Sequence, residues 1–99
     1  MRNKEQRNNL YERAMDLWGT DSQSNMIIEE LAELIVAIRH YDRKKIKKIG
    51  LISELADVYI MLEQLKILAG IKQIDVNCIK EDKLTRLECL ITEGEDRNV

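Results

Sequence analysis

Met26-Ile27-Ile28-Glu29-Glu30-Leu31-Ala32-Glu33-Leu34-Ile35-Val36-Ala37-Ile38 is the stretch from which the fold can be read. It contains no Pro or Gly, and its apolar residues recur at helical spacing. On a wheel at about 100° per residue with Glu29 at zero, Met26, Ile27, Leu31, Leu34, Ile35 and Ile38 fill an arc from about 60° to about 240°. Glu30 falls inside that arc, Glu33 lies on its rim, and Glu29 lies outside it. A helix that carries an acid within its apolar stripe is unusual, because an unpartnered carboxylate is costly to remove from water.

The same anomaly returns in Glu54-Leu55-Ala56-Asp57. There Leu51, Leu55, Val58, Met61, Leu62, Leu65 and Leu68 define a second stripe. Glu54 sits in its middle and Asp57 at its edge. Glu63 lies opposite, as a surface acid does. Two helices that each present one acid in the stripe and one at its border predict a shared site, with Glu30, Glu33, Glu54 and Asp57 as ligands to a divalent cation. An all-oxygen donor set favours Mg²⁺, with Mn²⁺ as substitute, over zinc. A di-iron bundle would need Glu-x-x-His pairs. The single histidine, His40, is in none and reads as a helix-end residue.

Working outward, residues 4–18 form a first helix with Leu10, Ala14, Leu17 and Trp18 on one face. Gly19 ends it, and Thr20-Asp21-Ser22 carries turn and capping chemistry. Ser22 or Ser24 caps the second helix, which runs to Arg39 or Tyr41. The basic run 43–48 is a connector. A third helix starts near Leu51 and runs to Ala69, where Gly70 stops it. Residues 71–74 link to a fourth helix over 76–92, capped by Asp75. The polar tail 93–99, with Gly94, frays. The expectation is one all-α domain over residues 1–99, a four-helix bundle with short connections.

Composition supports this reading. The 99 residues include no Pro, no Phe and four Gly, which favours helix over sheet. The net charge of −2 demands no polyanionic partner. Cys78 and Cys89, about three turns apart on one helix, are too distant for a disulfide and read as reduced helix residues, buried or partly so. Reduced thiols, a polar start and no long apolar run predict a cytoplasmic chain without a signal peptide or a membrane span.

The bipartite pattern of Glu29-Glu30-x-x-Glu33, a twenty-residue gap and Glu54-x-x-Asp57, together with Trp18-Gly19, Gln23 and Val58, resembles the MazG-like all-α nucleoside triphosphate pyrophosphatases from about residue 18 to residue 65. The resemblance implies an oligomeric helical bundle. It implies an Mg²⁺-dependent hydrolase that cleaves the α–β phosphoanhydride of (deoxy)nucleoside triphosphates to a monophosphate and pyrophosphate, in nucleotide-pool housekeeping. It places the metal on Glu30, Glu33, Glu54 and Asp57. Glu29 matches the motif's first acid, but its wheel position makes it a poorer ligand. Glu33, at the rim, is the choice for general base.

Lys80, Lys83 and Arg86 share one side of the fourth helix. Lys83 and Arg86 resemble the family's phosphate-binding positions, the other reading being a solvated face. Gln23, two turns before Glu30 on the same face, would read a base edge or a sugar hydroxyl. Trp18 would stack on a base or pack in the core. The 43–48 run lacks aromatic company, so no nucleic-acid partner is expected. Apolar stripes this broad on so short a chain predict a homodimer or homotetramer. The rival reading is a helical interaction or regulatory module whose acids pair with a partner's bases.

Overall fold

A computed structural model of the chain describes residues 1–97. It contains four helices, α1 (Lys4–Trp18), α2 (Thr20–Asp42), α3 (Lys48–Ala69) and α4 (Gln73–Arg97). There is no strand among the described residues, as the helix-favouring composition predicts.

α1 begins with a capping box. The Asn3 side chain accepts a hydrogen bond from the Gln6 backbone N–H at 2.8 Å, and Gln6 Oε1 accepts one from the Asn3 N–H at 2.9 Å. These bonds satisfy donors that a helix start leaves free. Gly19, at φ 88°, ends α1, and the chain re-enters a helix at once. Its carbonyl accepts from Gln23 N at 3.2 Å. The expected turn at Thr20-Asp21-Ser22 is therefore helix, and no serine caps it. One residue in a conformation open to glycine is enough to separate two helices.

α2 ends where Lys45 N reaches the His40 carbonyl at 2.7 Å and Lys44 adopts φ 59°. The basic connector shrinks to 43–47, and α3 starts three residues earlier than expected. Gly70, left-handed at φ 65°, closes α3, and Ile71 N bonds the Lys66 carbonyl at 2.8 Å, as the sequence leads one to expect. α4 begins at Gln73, so Asp75 lies in its first turn and is not its cap. It continues through Gly94 to Arg97. Asn98 and Val99, at the end of the expected fraying tail, lie outside the described residues.

α2 and α3 pack as an antiparallel pair. The α2 seam is Gln23, Ile27, Glu30, Leu34 and Ala37, and it is answered by Leu51, Glu54, Val58, Met61 and Gln64 on α3. Steps of three and four residues are the spacing of helices that lie nearly parallel. α1 rests across this pair at the end holding the start of α2 and the end of α3. It is held there by Tyr11, which is buried, and by Arg7, whose guanidinium bonds Glu63 at 3.1–3.2 Å. Tyr11 Oη donates to Glu63 Oε1 at 2.9 Å. Glu63 is thus no free surface acid. It is half-buried and anchors α1, and the Arg7 guanidinium and Tyr11 hydroxyl hold its carboxyl below the usual range despite burial, which acts the other way.

α4 departs from the expected bundle. It buries no residue, and its link to the other helices is the hydrogen bond from Lys66 Nζ to Gln73 Oε1 in its first turn. Cys78 and Cys89 are exposed as a result, contrary to expectation. The chain has a radius of gyration of 17.6 Å, against about 13 Å for a compact domain of this length.

Candidate metal centre

The acids of the two stripes meet. Halfway along the α2–α3 seam, one carboxylate oxygen from each of Glu30, Glu33 and Glu54 lies within 4.8 Å of the others. The antiparallel register produces this: Glu30 faces Asp57 across the seam, and Glu33, nearly one turn on, faces Glu54. Glu30 and Glu54 occupy seam positions that Leu or Val would otherwise take, and each has one oxygen, Oε2, that is buried and without a hydrogen-bond partner.

That cluster is electrostatically unfavourable by itself. The Glu30 carboxyl is raised above its usual range, first by burial, then by the charges of Glu33 and Asp57, with Glu54 contributing less. Asp57 is half-buried and near enough to act on Glu30, but it stands outside the close triad. Glu33 is exposed. Glu29 is exposed and also outside the triad.

A cleft of about 410 Å³ opens beside the triad, lined by Glu33, Val36, His40, Ile46, Gly50 and Glu54 among others. Its size is that of a small-molecule site. His40 and Ile46 were not legible as site residues. His40 lies two turns after Glu33 on the same side of α2, and that spacing is the signal that could have found it. Ile46 reaches the wall from the connector, and its placement depends on the turn at Lys44.

The other candidate residues are not gathered here within one chain. Gln23 is 2% exposed, with Nε2 unpartnered, and sits two turns from Glu30 toward the start of α2. Gln64, buried on α3, likewise has an unpartnered side-chain atom, Oε1. Lys80, Lys83 and Arg86 are exposed on α4, away from the α2–α3 pair. Trp18 is exposed at the end of α1 and takes no place in the core.

The chain matches no protein-family model, no curated protein and no solved structure. Among the described residues no helix is long and apolar enough to cross a membrane.

Proposed function

We propose that this chain is an Mg²⁺-dependent nucleotide pyrophosphohydrolase of MazG-like type. It would cleave (deoxy)nucleoside triphosphates between the α and β phosphates, as part of nucleotide-pool housekeeping in the cytoplasm, and would work as a homodimer or homotetramer. The observation that carries this reading is the convergence of Glu30, Glu33 and Glu54 with a buried, unpartnered oxygen on each of Glu30 and Glu54. Buried charges are paired or coordinate metals, and among the described residues the cleft wall carries no base beyond His40. The donor set is entirely carboxylate, which suits a hard cation such as Mg²⁺ or Mn²⁺.

A divalent cation in such a site supplies charge neutralisation for phosphate oxygens and activation of water. Glu30 and Glu54 hold fixed positions because their helices are packed at the seam. Asp57, outside the close triad but near Glu30, would complete the ligand set from the α3 side. Glu33, exposed at the cleft, would serve as the general base for the attacking water. Gln23 would address the nucleoside, and Lys83 and Arg86 the phosphates, through charge-assisted hydrogen bonds. In one chain Lys83 and Arg86 stand apart from the acids and would reach them only from a second copy, whereas Gln23 is enclosed in the seam of its own chain and would need that seam to open.

The test is pyrophosphate release from a panel of nucleoside triphosphates with Mg²⁺ and with Mn²⁺. Cleavage of at least one of them, abolished by chelator, is expected; inertness of the whole panel with either metal would overturn the reading. A second reading, a non-enzymatic helical interaction module, is favoured by the bare apolar stripe of α4. It requires that Mg²⁺ leave the melting temperature unchanged.

A further inference from the structure

The most conspicuous unsatisfied surface is α4. Ile79, Leu90, Val76, Leu87, Ile91 and Leu84 fall within about 140° of its circumference, and all are exposed. Lys80 and Lys83 sit inside this arc, and Arg86 about 20° beyond its edge. The acids Asp75, Glu81, Asp82, Glu88, Glu93 and Asp96 all lie outside it. α4 therefore has one apolar, cationic face and one acidic face. A stripe of this width belongs against another helix, and nothing in its own chain covers it.

The exposed area indicates how much is missing. The chain exposes 8371 Å², whereas a folded monomer of this mass exposes about 5,800 Å². The excess of about 2,600 Å² per chain stands at the upper end of the ~1,000–2,500 Å² that each partner of an obligate interface buries. An occupant for α4 must be both apolar and acidic. The α2–α3 pair is such a surface: its cleft carries Glu33 and Glu54 beside Val36 and Ile46, and Ile49 and Ile60 on the same pair are exposed. Pairing α4 with a second α4 would bury Lys80 and Lys83 without countercharges, which is costly.

We infer that α4 is an exchanged arm. Its apolar, cationic stripe packs on the α2–α3 pair of a second copy of this chain, on the side of the acid cleft, and brings Lys80 and Lys83 to the partner's carboxylates. The inference rests on the homo-oligomer of the proposed function and on the acid cleft that function uses, where Lys80 and Lys83 would stand at the rim beside any phosphate held there.

Three measurements test it on the full chain. Sedimentation equilibrium at micromolar concentration should give a dimer or a larger assembly for the wild type, and at least tenfold weaker association for Leu87→Asp and for K80E/K83E. Far-UV circular dichroism should show that both variants keep their helices, since α4 supports no packing in its own chain. In a one-to-one mixture of unlabelled and ¹⁵N-labelled chains, carbodiimide should link Lys80 or Lys83 of one copy to an acid on α2 or α3 of the other. A monomeric wild type overturns both this inference and the homo-oligomer. An assembled wild type that Leu87→Asp leaves intact, or links confined to one chain or to α4 acids, overturns this inference alone.

Discussion

The α2–α3 seam and α4 break the same rule in opposite senses. Each places charges inside an apolar stripe: Glu30 and Glu54 in the seam, Lys80 and Lys83 on α4. In the seam the anomaly is enclosed. Each acid has a buried oxygen without a partner, and their carboxylates stand within 4.8 Å of one another and of Glu33. On α4 the anomaly lies open to water, where a lysine can extend its ammonium into solvent while its stem covers apolar surface. A wheel alone cannot separate these cases. Packing decides which charge needs a counter-ion from solution and which needs one from another protein surface.

The sharpest way to break the comparison is Glu54→Gln. Removing one ligand charge from the seam should lower pyrophosphate release by about 10³-fold, equivalent to about 4 kcal/mol of transition-state stabilisation, with helicity and melting retained. Wild-type activity in that variant would remove Glu54 from the site. Next in size is Ile27→Ala, which opens a cavity where Ile27 is 4% exposed. A loss of about 2–4 kcal/mol is expected by urea unfolding; a loss below about 0.5 kcal/mol would mean that the seam is not the core.

Glu30 gives a third prediction, through pH. Its folded carboxyl is raised, so the stability it contributes is full below the ordinary value of 4.5 and lost as pH rises through its folded value. The metal-free protein should therefore lose stability from this group on going toward neutral pH, and Mg²⁺ should restore it. Glu30→Gln should raise the metal-free melting temperature at pH 7 and abolish the response to Mg²⁺. An unchanged Mg²⁺ response would place the cation elsewhere.

Glu63 is expected to behave in the opposite way and more weakly. Its folded carboxyl is lowered, so its contribution is present above 4.5 and lost as pH falls through its folded value. Glu63→Gln should flatten the acid limb of the melting curve and loosen α1, the smallest effect of the four because the pair is partly exposed. An unaltered acid limb would show that α1 is held by Tyr11 packing alone.

The seam was legible in part: Ile27, Val58 and Met61 are buried as their stripes require, whereas Met26, Leu31, Ile35, Ile38, Leu55, Leu62 and Leu65 of the same stripes are exposed, because one neighbouring helix covers only part of so wide an arc. Glu30, Glu54 and Asp57 were placed correctly on their stripes before their neighbours were known. Glu63 was misread because the wheel measures distance from the largest apolar stripe, and Glu63 faces a smaller contact made by α1. Arg7 and Tyr11, four residues apart, are the local signal for that contact, but α1 has few apolar residues to draw attention to it. The isolation of α4 left no trace in its pattern, since amphipathy is the same whether the covering surface belongs to one chain or to two. Gly19 and Gly94 show the limit of local punctuation. Gly19 takes φ 88° and breaks the helix in a single residue, whereas Gly94 stays helical with no positive φ.

The joint after α3 has a mechanical consequence. Only residues 70–72 separate α3 from α4, so the bearing of a helix about 37 Å long is set by the torsions of a three-residue joint that begins with the left-handed Gly70. A swing of about 10° at that pivot moves the far tip by about 6 Å, most of the ~8–10 Å spacing between packed helix axes. Leverage of this kind makes the joint at residues 70–72 a place where a small local change would be felt at the far end of α4.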